Sequence, residues 1–142
     1  MNTQQQNLGF LLADVVRLMR RAFSRRLGDN PITLNEARAL AYIGRNHGLR
    51  QIDLAEMLEI QPIQVARLID RLAEMKLVER LPVPGDRRAY HIHLLPAAGD
   101  VLASFEKVAN VVRQEAMAGL SGEQLDMMLE GLTHIRNNLN QR

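Results

Sequence analysis

Residues 52–75 read IDLAEMLEIQPIQVARLIDRLAEM, and this stretch decides the fold. Leu54, Ala55 and Leu58 recur at helical spacing from about Ile52 to Leu58, and Val65, Leu68, Ile69 and Leu72 do so from Pro62 to about Met75. Proline is acceptable in a first helical turn, because the N–H it lacks would have no intrahelical partner there. Only Glu59-Ile60-Gln61 separates the two runs, so the spacing predicts two short helices joined by a tight turn. The second helix buries one stripe and leaves Gln61, Gln64, Arg67 and Arg71 outside.

On the C-terminal side the period changes to two after Lys76. Leu77 to Leu81 and Tyr90 to Leu94 read as strands, and Pro82 to Ala89 as a hairpin connection with Arg87 and Arg88 near its tip. Asp86 beside them is expected to orient an arginine. Pro96 then starts a long helix, and Ser121 with Gln124 forms a capping box opening a last one on Leu125, Met128, Leu129, Leu132, Ile135 and Leu139. On the N-terminal side, residues 1–7 are expected to fray. Apolar positions from Leu8 to Leu27 are helical in period, Gly28-Asp29-Asn30-Pro31 breaks that helix, and Thr33 with Glu36 caps a second that stops near His47-Gly48. The expected fold is mainly α, six helices plus a β-hairpin wing.

A chain of 142 residues makes one ordinary domain. The absence of cysteine excludes disulfides, thiolate metal sites and thiol redox sensing. No secretory signal and no membrane-length apolar run is visible, so a cytoplasmic protein without membrane contact is expected. His91 and His93 share a strand face, but no third ligand is recognisable nearby and they read as solvated wing residues; His47 and His134 are isolated. No phosphate loop, Ser-His-Asp order or carboxylate pair stands out, so neither a cofactor nor an enzyme is expected.

Sixteen of the 18 basic residues are arginine, the side chain suited to forked bonding with phosphate and guanine. A G+C-rich genome would also favour arginine, so position must decide. An α-helix fits the major groove of B-form DNA, and a neighbouring hairpin reaches the adjacent minor groove or backbone. The helix from Gln61 to Arg71 meets that need, although a solvated surface helix has the same composition. The hairpin tips the balance, because adjacent arginines on a protruding loop suit a narrow, electronegative minor groove. The alternative is a winged-helix module that binds another protein, which has no need of a basic wing tip.

The run Leu54-Ala55, Leu58, Ile60, Val65, Arg67-Leu68-Ile69-Asp70-Arg71-Leu72, Leu77-Val78, Arg80 and Pro84-Gly85-Asp86-Arg87-Arg88 resembles the MarR-type regulators, the multiple-antibiotic-resistance repressors and their relatives. The resemblance is specific from about Leu34 to Gly99, and the flanking helices fit in length and order. It implies a winged helix-turn-helix at 33–95 and a homodimer built from 8–30 and 97–141, all within one domain spanning 1–142. It further implies a repressor on a pseudo-palindromic operator in double-stranded DNA. Gln61, Pro62, Gln64, Arg67 and Arg71 would then read the major groove, and Arg87 and Arg88 the minor groove. A small anionic aromatic effector is also implied by the resemblance. The chain departs from the family pattern at Leu58-Glu59-Ile60, where glycine is common, at Gln61-Pro62, where Ser or Thr is common, and at Leu94-Leu95-Pro96, where Leu-Thr is usual.

The stripes of the first and last helices point to self-association, since a winged-helix unit closes its own core. A two-fold dimer would set two recognition helices about one DNA turn, roughly 34 Å, apart. The arginines from Arg17 to Arg26 read either as a solvated face or as part of an anion-binding cleft. The methionines read as core filling.

Overall fold

The computed structural model describes residues 7–141, so the fraying expected of residues 1–6 lies outside the described residues. The elements run α1 (Leu8–Leu27), α2 (Leu34–Arg45), α3 (Gln51–Leu58), α4 (Pro62–Glu74), β1 (Val78–Val83), β2 (Asp86–Leu94), α5 (Ala98–Ala116) and α6 (Gly122–Asn140). Both expected capping boxes form. Thr33 Oγ1 accepts from the Glu36 amide at 3.2 Å while Glu36 Oε1 accepts from the Thr33 amide at 3.0 Å; Ser121 and Gln124 reciprocate in the same way at the start of α6.

The core lies where α2, α3, α4 and the hairpin meet. Leu40, Leu54, Val65, Ile69, Leu72, Val78 and Ile92 are its largest fully buried side chains. Leu49 joins it from the loop before α3, and its carbonyl accepts the Ile92 amide at 2.8 Å, which fastens the hairpin to the helices. Removing one such side chain to alanine in a packed core typically costs about 2–5 kcal/mol.

The hairpin is longer than its sequence pattern indicates. The strands reach Val83 and begin at Asp86, leaving only Pro84 and Gly85 between them, whereas the expected connection ran from Pro82 to Ala89. Gly85 takes φ +85°, which a side chain would resist, and Pro84 fixes the φ before it. The ladder pairs Pro82 with Tyr90 and then Val83 with Asp86, so Arg87, Arg88 and Ala89 are left without partners on β1. Pro82 is tolerated because a two-stranded sheet has only edges. The long helix after the wing begins at Ala98, two residues beyond the expected Pro96.

The two outer helices are differently anchored. Among the described residues α1 packs on α5 and α2, through Phe23 and Leu27, while α6 has no extensive contact with any other element. Leu8, Phe10, Leu11, Val15 and Leu18 of α1, and Met127, Met128, Leu129 and Leu139 of α6, are exposed.

Candidate nucleic-acid interface

The turn between α3 and α4 is built by residues that hold an awkward backbone. Glu59 stands at φ 56°, ψ 43°, the left-handed region, and its amide and that of Ile60 return to the last carbonyls of α3. Glycine takes this conformation most readily, and the chain adopts it with a side chain attached. Ahead of α3, Arg50 grips Asp53 through two guanidinium bonds of 2.9 Å, and that contact holds the Asp53 carboxyl below the usual carboxylate range.

Val65, Ile69 and Leu72 are fully buried and fix the rotation of α4. Gln61, Pro62, Ile63, Gln64 and Arg67 are consequently exposed along its N-terminal half. Gln61 is the N-cap residue, and its amide donates to Gln64 Oε1 at 3.0 Å, so the two glutamines expected at the groove are joined to each other at the helix end. The ion pairs among the described residues engage Arg17, Arg26, Arg50, Arg71, Arg80 and Arg113; on the helix-turn-helix and wing they leave out Arg67, Arg87 and Arg88, and elsewhere Arg20, Arg21, Arg25, Arg38, Arg45 and Arg136.

Arg71 is exposed too, but its guanidinium is held by partners within the chain. Its Nη1 donates to Glu36 Oε1 at 3.0 Å and its Nη2 to the Pro31 carbonyl, so it turns back against the α1–α2 corner. The cause is Glu36, 3% exposed, which needs a cation because an unpaired buried carboxylate is costly. Arg71 thus stands outside the buried stripe, as expected, but with its guanidinium engaged within the chain.

Arg80, quoted above only for the family resemblance, makes contacts that the strand pattern alone does not announce. From β1 it donates to Gln51 Oε1 of α3 at 2.7 Å and to Asp70 Oδ1 of α4 at 2.7 Å, tying the wing to both helices of the helix-turn-helix. The available signal was its strand position, two residues from buried Val78 and therefore on the inward face. At the tip, Asp86 Oδ1 accepts the backbone amide of Arg88 at 3.0 Å. Asp86 thus holds one of the two arginines, as expected, and does so through the main chain. Arg87 and Arg88 are both exposed. The His91 and His93 rings stand 6.4 Å apart and half-buried, with His91 lying over Gly48. Among the described residues no group of three potential metal ligands occurs, and no helix is long and apolar enough to cross a membrane.

A second feature lies between α1, α2 and α5, where a cavity of about 350 Å³ opens. Phe23 and Phe105 form an apolar wall, ring centroids 6.2 Å apart, and Arg20, Arg38, Arg45 and Arg113 also line it. Arg113 is neutralised by Glu106 at 2.5 Å. Arg20 is thus the one arginine of the Arg17–Arg26 run that faces the cavity, while Arg17 pairs with Asp14 and Arg26 with Glu115.

Residues 30–89 match the sequence model described as MarR family. The chain is 32% identical to the transcriptional regulator PA3341, covering 94% of this chain and 98% of that one with a TM-score of 0.80. Wild-type MarR from E. coli, in its apo form, is 22% identical over 90% of this chain and 96% of that one, with a TM-score of 0.79. A mutant MarR from E. coli complexed with operator DNA is 20% identical over 95% and 99%, with a TM-score of 0.73, a likeness of fold. Similar to the PA3341 regulator over nearly all of both chains, and matching the family's sequence model across its central segment, the chain belongs to the MarR family of transcriptional regulators.

Proposed function

We propose that the chain binds an inverted-repeat operator in double-stranded DNA as a homodimer and represses transcription by occupying it. In this reading residues 33–95 form the DNA-binding part and residues 8–30 and 97–141 the dimerisation layer, and the protein works in the cytoplasm. Gln61, Pro62, Gln64 and Arg67 enter the major groove, Arg87 and Arg88 the minor groove, and Arg71 braces the helix from behind. The observation that carries it is the placement of three exposed arginines without ion pairs, Arg67 on α4 and Arg87 and Arg88 on the wing, in elements tied together through Arg80. Backbone-anchored arginines without acidic partners are poised for phosphate and base edges. The similar fold of a MarR complexed with operator DNA supports the same reading.

The cavity between α1, α2 and α5 supports the ligand-responsive part of the proposal. An aromatic wall beside Arg20, Arg38 and Arg45 suits a small anion with an apolar body. Titrating fluorescent duplex from the gene's own upstream region, with scrambled duplex as control, tests the reading. Tight, salt-sensitive preference for the upstream duplex, relieved by an aromatic carboxylate, is expected; equal binding of both duplexes would refute it.

A further inference from the structure

Ile63 is 61% exposed, although isoleucine is among the residues most often buried. It is the second residue of α4, and at 100° per residue it points roughly 160° away from buried Val65. Arg67, four residues on, shares that face. Packing does not account for it: α4 packs on α3 and β1, and its core contacts come from Val65, Ile69 and Leu72. Nor is polar capping its role, since Gln61 and Gln64 already serve the helix end. The front of α4 thus carries one branched apolar side chain among hydrogen-bonding ones.

In the major groove each base pair offers hydrogen-bonding groups, and the only apolar group on a base edge is the C5-methyl of thymine. We propose that Ile63 is a specificity-determining residue that selects thymine by covering this methyl, while Arg67 and the glutamines contact polar edges or phosphate. The proposal rests on the reading of α4 as the groove helix. Cytosine lacks the methyl and is rejected because nothing then covers the Ile63 side chain. Burying one methyl group corresponds to about a fourfold preference per half-site, hence about fifteenfold on an operator with two.

The test removes the methyl and nothing else. Thymines in the bound operator are replaced one symmetric pair at a time by deoxyuridine, and affinity is measured for the full-length chain and for Ile63→Ala, whose exposed position leaves the fold intact. The expected result is one thymine position per half-site whose replacement weakens the unaltered protein by about fifteenfold and leaves Ile63→Ala unaffected. Operator preference retained with indifference to deoxyuridine at every position overturns the inference and spares the DNA reading. Equal losses in both proteins also overturn it, by assigning the methyl to another residue. Failure to prefer operator over scrambled duplex at all overturns both.

Discussion

Glu36 is the one buried charged side chain among the described residues, and it holds Arg71 of α4. A single oxygen, Oε1, accepts both the Thr33 amide and Arg71, while Oε2 has no partner. Arg71→Gln strips the cation and should lower stability by about 1–3 kcal/mol in chemical denaturation, the buried-pair value discounted because Arg71 is half exposed. Operator affinity should fall too, with the slope of log affinity against log salt unchanged, because the Arg71 guanidinium is engaged by Glu36 and the Pro31 carbonyl. Glu36→Gln keeps the cap and removes the charge, so the double variant should bind no worse than the weaker single one. A reduced salt slope in Arg71→Gln would return that residue to the DNA. Glu59→Gly, by relieving the left-handed strain, should raise stability by roughly 0.5–1 kcal/mol; a decrease would show that Glu59 makes stabilising interactions of its own. Local features of this kind are only half legible in the sequence. Thr33 with Glu36 can be read because cap and acceptor are three residues apart, but Arg71 finds its partner 35 residues away, and no periodicity reports that.

At the scale of elements, the helices are legible and the wing less so. Stripes such as Val65, Ile69 and Leu72 declare a helix from their own spacing, and α1 occupies the predicted span. The hairpin looks shorter in sequence than it is because Pro82 and the arginine pair resemble loop, whereas cross-strand pairing recruits Pro82, Val83 and Asp86 into the ladder. That pairing is set between the strands and leaves no mark in either strand alone. As a result the stretch Arg87-Arg88-Ala89 lies off the ladder, next to a turn shaped by Asp86. Arg88→Ala should weaken operator binding at least tenfold and make the salt slope shallower by about one for each phosphate no longer neutralised, with the dimer unaffected. Arg80→Ala should preserve the helices yet loosen the wing, seen as faster amide exchange at Ile92 and its neighbours. Unaltered exchange would mean that Leu49 alone anchors the hairpin.

For the whole molecule the outstanding feature is α6, nineteen residues of amphipathic helix that bury no residue within the chain. This open apolar face, with exposed Leu11, Val15 and Leu18 of α1, is where the proposed second copy would close. Leu129→Glu should yield a monomer by sedimentation and abolish tight operator binding; a persistent dimer would move the interface elsewhere. The direct measurement of the central claim is selection of duplexes from a random pool by the purified protein at moderate salt. The expected winners carry two inverted half-sites with centres about ten base pairs apart, the spacing that brings both copies of α4 to one side of the helix. Enrichment of a lone half-site, or of nothing, would contradict the claim.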